Sequence, residues 1–410
     1  MSIFSRSIHP TQIRAVVQAL RAIFVENRYA DKVIEYTLRQ NPKAGSRDRA
    51  FIAETTYDVV RNYRLYAAIL GKTPESEADF WGIAGIHLVL TNASITIGKV
   101  SEIVEFRDLD SADIQRKADQ LLAERKMRES VPDWLDELGE RELGPAWDET
   151  LAWLNRPAEV VLRANRLKTD RVSLQKILAE EGVETNPYGD ADALVLERRQ
   201  NVFRTVAFKN GLFEVQDFSS QLVAPFLDPK AGMRVVDACA GGGGKTLHLA
   251  ALLEGRGSVI ALDTLGWKLD ELRQRARRAG ASNIETRVIE NSKVVKRLYG
   301  TADRLLLDVP CSGLGVLRRN PDSKWKLNPE FIENLRATQQ EILQTYSRIL
   351  KTGGQMVYAT CSILPSENER QVQTFLAGEA GASFSLVAER KVLPQDDGFD
   401  GFYMALLLKN

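Results

Sequence analysis

The stretch RVVDACAGGGGKTLHLAAL, residues 234–252, runs from four residues of strand character into consecutive glycines, Gly241 to Gly244, and on into an apolar helical pattern. Glycine lets the backbone approach a ligand closely, and the first turn of the helix that follows supplies free N–H groups to an anion. Lys245 adds a positive charge there. Four glycines cost considerable chain entropy, which weighs against a merely structural turn.

Outward from this loop, strand and helix alternate from Gln221 to the end of the chain. Strand candidates are Arg234–Ala238, Ser258–Leu262, Glu285–Ile289, Arg304–Leu307 and Gln355–Tyr358, and GFYMALLLK (401–409) reads as a final strand. A helix over 330–350 places Phe331, Leu335, Ile342, Tyr346 and Ile349 on one side. This rhythm predicts an α/β fold, a doubly wound parallel sheet with right-handed crossovers.

The preceding half reads differently. Residues 10–70 are helical in pattern: Ile13, Val16, Val17, Leu20, Ile23 and Phe24 follow the three-four spacing of one buried face. A turn at Asn41–Ser46 leads to a helix from about Arg47, with Ile52, Val59 and Tyr66 inward. Residues 75–128 are mostly helical but irregular. From Glu159 the pattern turns to EVVLRANRL, SLQKILAEEG and ALVLE, a small α/β module. The expected parts are an all-helical domain over 1–128, a linker and small module over 129–220 with Val131-Pro132-Asp133-Trp134 as a hydrophobic junction, and a catalytic domain over 221–410.

Composition sets the class. The chain has 410 residues, 44% hydrophobic and 27% charged, which excludes collagen, coiled coil and wholesale disorder. The longest apolar run, Trp81–Leu90, falls well short of the ~18 residues of a membrane span, so no membrane partner is expected. The N-terminus lacks the apolar core of a secretory signal. Residues 1–25 hold three arginines and no acid, a faint likeness to an organellar presequence that a basic first helix explains more simply. Net charge is zero but uneven: +5 over residues 1–70, −9 over 71–150 and +6 over 151–350. Basic regions flanking an acidic belt permit polyanion binding; solvated helix faces give the same pattern. The three cysteines, Cys239, Cys311 and Cys361, form no CxxC pair, and His9, His87 and His248 are scattered, so no metal site is expected. Sparse, odd cysteines suggest a reducing compartment, the cytoplasm.

Three ligand classes compete for the glycine loop. A P-loop, G-x-x-x-x-G-K-[ST], is matched by Gly244-Lys245-Thr246 but needs glycine at Cys239. RLLLD (304–308) resembles the aspartate strand of such NTPases. A dinucleotide fingerprint fails, because it needs glycine at Thr246 or Leu247. For S-adenosylmethionine, Asp237 and the loop face the methionine portion, and Asp263, ending VIALD, takes the ribose hydroxyls. Two further motifs end strands: LLLDVPCSG, with Asp308 and Cys311, and VYATCS, with Thr360, Cys361 and Ser362. Side chains at the carboxyl ends of neighbouring parallel strands meet at one crevice, so both cysteines belong near the glycine loop. A thiolate, a carboxyl group and a methyl donor suit one reaction. Addition of the thiolate to carbon 6 of cytosine makes carbon 5 nucleophilic, and the carboxyl stabilises the developing charge on an unstacked base.

At these residues the chain resembles the RNA cytosine-5 methyltransferases of the RsmB type, which modify small-subunit ribosomal RNA. The matching strings are LRANRLK (162–168), VQDFSSQL (215–222), DACAGGGGKT (237–246), LLLDVPCSGLGVLRRNPDSKW (305–325), GGQMVYATCSILPSENE (353–369) and DGFYMALLLK (400–409). The resemblance covers roughly 155–410 and implies a Rossmann-like S-adenosylmethionine domain acting on RNA, 16S rRNA before tRNA. It implies that Cys361 is the nucleophile, that Cys311 assists release, that Asp308 holds the cytosine and that Lys245 lies beside the donor. The cofactor site it implies comprises Asp237, Ala238, Cys239, Ala240, Gly241 to Gly244, Lys245, Asp263, Asn291 and Asp308. The family usually has Ala-Pro at Gly241-Gly242, which predicts a more flexible donor loop here, and an acid where Asn291 stands. GSRDRAFIAETTYDVVRNYRLY (45–66) resembles a NusB-like RNA-binding module, with Arg47, Arg49, Arg61 and Arg64 as RNA contacts. Arg163, Arg166, Lys168, Arg318, Arg319, Lys324 and Trp325 are further RNA-contact candidates, and Trp325 is equally a packing anchor. A P-loop NTPase and a non-catalytic RNA-binding assembly factor are the competing readings.

Overall fold

The computed structural model describes residues 9–91, 103–107, 109–189 and 192–410. The start of the basic N-terminal stretch and residues 92–102 of the expected helical region lie outside them. The described residues group into two compact units, Met1–Asn155 with Leu317–Asn328, and Arg156–Val316 with Pro329–Asn410.

The first unit is helical. Helices Pro10–Phe24, Ala30–Gln40, Ser46–Arg61, Tyr63–Leu70 and Glu77–Leu90 bury one shared core. Pro10 opens the first helix, where its missing N–H costs nothing, and Ser76 caps the fifth in a capping box with Asp79. Ile13, Val16, Val17, Leu20 and Ile23 are buried as the spacing predicts, as are Ile52, Val59 and Tyr66. The unit runs beyond residue 128, through helices Asp133–Leu143 and Trp147–Leu154. It also takes in residues 317–328 from far along the chain. There Trp325 Nε1 donates to the Val60 carbonyl (2.8 Å), its ring meets Tyr63 edge-on at 5.6 Å, and Ala30 N–H donates to Asp322 (2.9 Å). No helix among the described residues is long and apolar enough to cross a membrane.

The second unit begins with a small antiparallel sheet. Strands β1 (Val161–Ala164), β2 (Thr185–Tyr188), β3 (Ala193–Leu196) and β4 (Phe213–Val215) pair in the order β2-β3-β1-β4. Helix Arg171–Glu180 closes their core with Leu174 and Leu178. The main sheet follows: β5 (Arg234–Asp237), β6 (Ser258–Asp263), β7 (Ile284–Val288), β8 (Ala302–Asp308), β9 (Leu350–Thr360), β10 (Phe384–Val392) and β11 (Phe402–Lys409). Their order is β10-β11-β9-β8-β5-β6-β7. The pairs β7–β6, β6–β5, β5–β8 and β8–β9 are parallel; β11 runs antiparallel between β9 and β10. Alternate residues feed opposite layers: Val235 packs with Leu247 and Leu272, and Val236 with Ile342 and Leu343. Successive crossovers leave β5 on opposite sides, so the ends of β5 and β8 flank the switch point where such sheets bind ligands.

Three details differ from the sequence pattern. The strand β10 was not expected. The inward face of helix Pro329–Tyr346 is Ile332, Gln339, Ile342 and Leu343, with Phe331 49% exposed. The β9 strand starts at Leu350, five residues before its apolar stretch.

Candidate active site

Three carboxylates stand at the carboxyl ends of neighbouring parallel strands. Asp237 ends β5, Asp263 ends β6 and Asp308 ends β8. Between them runs the glycine loop. Gly241 and Gly243 have φ of +53° and +85°, and a Cβ on Gly243 would sit 2.1 Å from Leu272 Cδ1. No other residue fits there without moving Leu272. The Gly241 N–H donates to Asp263 Oδ2 (2.9 Å), and Asp263 Oδ1 accepts from Leu265 N–H (2.8 Å).

The loop expected to be flexible is pinned on its other side as well. Arg275 Nη1 donates to the Gly242 carbonyl (2.6 Å) and Arg163 Nη1 to the Gly244 carbonyl (2.9 Å). Glu214 on β4 holds both Arg275 and Arg278, and Gln216 accepts from Arg163. The small sheet therefore braces the loop. Sequence reading missed Arg275 and gave Arg163 another role, because the partners of both are main-chain carbonyls far along the chain.

The ligand chemistry follows from the charges. Lys245 Nζ is turned to Asp308 Oδ2 (2.7 Å) and lies 5.2 Å from the centre of the Phe402 ring. Burial alone would lower its pKa, but the Asp308 charge and hydrogen bond outweigh burial and raise it. The lysine and Asp308 thus neutralise each other, leaving Asp237 and Asp263 as the acids at the loop. Asp237 is 1% exposed; Thr246 donates to its Oδ2 (2.7 Å), and its Oδ1 has no partner. Burial pushes its pKa up to about 7, with the Asp308 charge adding to the effect and the Thr246 hydrogen bond opposing it. Such a donor set repels a triphosphate and suits a ligand with cationic groups, as S-adenosylmethionine has in its ammonium and sulfonium. The P-loop reading fails on this geometry.

Beside the loop the two cysteine motifs meet. Cys311 Sγ lies 3.3 Å from Cys361 Sγ. Their neighbours are tied together: Ser312 and Ser362 hydroxyls both donate to Glu367 Oε2 (2.5 Å each), Ser312 N–H donates to Glu367 Oε1 (2.8 Å), and Gln339 Nε2 donates to Oε1 (3.0 Å). The hydrogen bond with Cys361, then burial, then the charges of Cys361 and Glu367 push the Cys311 thiol up. Glu367 was not singled out from sequence, although it lies within ILPSENE; nothing local marks Ser312, 55 residues earlier, or Gln339, 28 residues earlier, as its partners. Cys239 is partly buried beside the loop, and burial raises its pKa.

Most of the remaining candidates have partners within the chain. Asn291 is exposed and caps helix Ser292–Lys296, its Oδ1 accepting from Lys293 N–H (3.0 Å). Arg163 is 2% exposed and holds the loop, so it is no phosphate contact. Arg166 pairs with Asp192 (2.7 Å), and Lys168 donates to the Asn210 and Arg278 carbonyls (2.7 Å each). Lys324 and Trp325 are not an RNA surface either. Lys324, 2% exposed, donates to the Arg61 carbonyl (2.7 Å), and Trp325 is a packing anchor. Arg318 is likewise buried. Arg61 donates to the Arg318 carbonyl (3.1 Å), Arg49 to the Leu38 carbonyl (2.8 Å) and Arg64 to Asp133 (2.8 Å); Arg47 stays exposed. Three of those four arginines serve the fold of the helical unit. Among the described residues no group of His, Cys, Asp or Glu is placed to hold a metal ion.

Residues 224–408 match the family model for the 16S rRNA methyltransferase RsmB/F, and residues 131–203 match the ferredoxin-like domain of RsmF/B-like methyltransferases. The chain is 32% identical to the probable ribosomal RNA small subunit methyltransferase B of Synechocystis, over 95% of this chain and 97% of that one. It belongs to the RsmB family of ribosomal RNA small-subunit methyltransferases. The RsmB protein of Vibrio cholerae is 31% identical over 88% of this chain and 90% of its own. Among solved structures, PH0851 superposes with a TM-score of 0.82 at 26% identity, covering 98% of this chain and 100% of that one. A methyltransferase homologue from Pyrococcus horikoshii gives 0.62 at 25% identity, covering 71% and 99%. Membership in the RsmB family makes the chain an S-adenosylmethionine-dependent RNA methyltransferase of the Rossmann-like class.

Proposed function

We propose that the chain methylates carbon 5 of a cytosine in 16S ribosomal RNA through a covalent adduct at Cys361. The observation that carries this reading is the 3.3 Å approach of two thiols beside the Lys245–Asp308 pair. Asp237, Asp263 and the loop from Ala238 to Gly244 would hold the donor. When bound, S-adenosylmethionine supplies an electrophilic methyl group on a sulfonium.

The roles of the chain's own groups follow. A cytosine swung out of its stack enters between the cysteines and Asp308. The Cys361 thiolate bonds to carbon 6, and the ring π electrons shift toward N3, leaving carbon 5 nucleophilic. Asp308 accepts from the exocyclic amine, and the proton shared with Lys245 supports the charge growing at N3. Cys311 stays protonated while Cys361 is free, because its neighbour's sulfur is the largest cause raising it. Once that sulfur is bonded to carbon, the largest cause is gone. Cys311 then ionises to water and takes the carbon 5 proton, the carbon 6–sulfur bond breaks, and the electron pair returns to Cys361. We place this reaction in the cytoplasm, consistent with three free thiols, and read residues 1–128 as a NusB-like RNA-binding module.

Cys361→Ser should abolish methyl transfer, by at least ~1,000-fold, with donor binding retained, because a serine hydroxyl is a far weaker nucleophile near neutral pH. Cys311→Ser should accumulate a protein–RNA adduct visible as a shifted band under denaturing conditions. Full activity of the first variant sinks the nucleophile assignment. Bisulfite sequencing of rRNA with and without the gene reads the target base.

A further inference from the structure

Glu367 is fully buried at the turn after β9, and its carboxylate receives four neutral donors. Two are the hydroxyls of Ser312 and Ser362, each the residue directly after a cysteine. A third is the main-chain N–H of Ser312. The fourth, Gln339, also donates to the Pro310 carbonyl (3.0 Å), just ahead of Cys311. The next residue repeats the pattern: Asn368 Nδ2 donates to the Ser362 carbonyl (3.0 Å) and its Oδ1 accepts from Thr360 (2.5 Å). The Glu367 carbonyl accepts from Tyr358 (2.6 Å). Both oxygens act only as acceptors, the pattern of an ionised carboxylate.

A buried charge held by neutral dipoles is a costly choice where only shape is needed; an amide or an apolar filler would join two loops at less desolvation cost. What the charge adds is direction. It orders both serine hydroxyls toward one point, and it sets a negative field beside Cys311. From this geometry we propose that Glu367 is a positioning residue for the reaction, registering the two cysteine loops through Ser312 and Ser362 and setting a fixed charge beside Cys311. This rests on the roles given above to Cys361 and Cys311. Glu367 touches neither sulfur nor, by its burial, the RNA.

The ionisable groups bearing on Cys311 are Cys361, Glu367 and Tyr358. Tyr358 stays neutral, since burial raises its pKa. Replacing Glu367 by glutamine keeps the size and removes the charge. Glu367→Gln should bind S-adenosylhomocysteine within about threefold of wild type and keep KM for RNA within about threefold, while kcat falls at least ~10-fold. In a Cys361→Ser background it should also shift the pH profile of Cys311 alkylation by iodoacetamide downward, by about one pH unit, because a like charge has been removed. A role confined to packing would leave that profile in place.

An unshifted profile, or a kcat within twofold of wild type, overturns the proposal. Should Glu367→Gln fail to fold, Ser312→Ala and Ser362→Ala carry the turnover test: slowed kcat with donor binding intact supports it, and unchanged kcat in both overturns it. Alkylation needs no turnover, so a wild-type protein that methylates no cytosine sinks the reading of the reaction and leaves the test of Glu367 standing.

Discussion

Asp237 has an awkward place for an acid: enclosed, with one oxygen on Thr246 and the other on nothing. Its pKa near 7 lies above the ~3.9 of an unfolded aspartate, so folding binds a proton over that range. The stability it contributes as a neutral acid is complete below about pH 4 and is lost as pH rises through about 7, roughly 4 kcal/mol at most. Asp237→Asn, neutral throughout, should therefore gain thermal stability over wild type progressively between pH 4 and 7. A donor with a cationic portion reverses the preference, because it favours the ionised form. Binding of S-adenosylmethionine to wild type at pH 6–7 should release up to one proton, measurable by calorimetry in buffers of different ionisation heat, and the asparagine variant should release none. Proton release equal in both would remove Asp237 from the donor site. Asp237, Asp308 and both cysteines were legible in the sequence because each follows an apolar strand, and position after a strand is a local signal. Glu367 was not, since its meaning lies partly in the Ser312 hydroxyl, fifty-five residues away.

At the scale of elements, the glycine loop is an assembly of the β5–helix turn with two arginines and a carboxylate from outside it. Four glycines without proline leave the unfolded loop many conformations, and the bonds from Arg275, Arg163 and Asp263 select one. Arg275→Met keeps the aliphatic stem but frees the Gly242 carbonyl. A hydrogen bond from a charged donor contributes about 1.5–3 kcal/mol, so the dissociation constant for S-adenosylhomocysteine should rise roughly 10- to 100-fold. Calorimetric titration reads this directly, and unchanged affinity would mean the loop is set by its glycines alone. The same scale explains what was read and what was not. The strands β5, β6 and β8 are buried on both faces, so they announce themselves as apolar runs. The strand β10 is an edge, exposed along most of FSLVAERKV, and its charges are what protects an edge from pairing with another chain. Those charges also hide it from a hydrophobic pattern.

For the molecule as a whole, the boundary between units is not a point in the sequence. The helical unit spans Met1–Asn155 and is completed by Leu317–Asn328, a segment that sequence position alone assigns to the catalytic half. Its basic residues Arg318, Arg319 and Lys324 read as RNA contacts in the sequence. In the fold Arg318 and Lys324 turn inward: the Lys324 ammonium sits on the carbonyls of Arg61 and Glu129 (2.7 and 3.2 Å), and burial drives its pKa well down. Trp325 anchors the segment through Val60 and the rings of Tyr63 and Phe24. The core around Val60 is therefore incomplete until residue 325 has been made, and it depends on a loop that begins six residues after Cys311. Trp325→Ala removes the hydrogen bond and the ring contacts, at a cost of roughly 2–4 kcal/mol. The division into two compact units predicts that they open as separate cooperative bodies, so the loss should be confined. In native-state hydrogen exchange, amides of helix Ser46–Arg61 should lose protection by roughly 30- to 800-fold, and those of β5, β8 and β9 should keep theirs. Equal losses in both sets would show one cooperative body in place of two. No loss in the helix would show that Leu317–Asn328 merely rests on the helical core, and the discontinuous unit would have no energetic meaning.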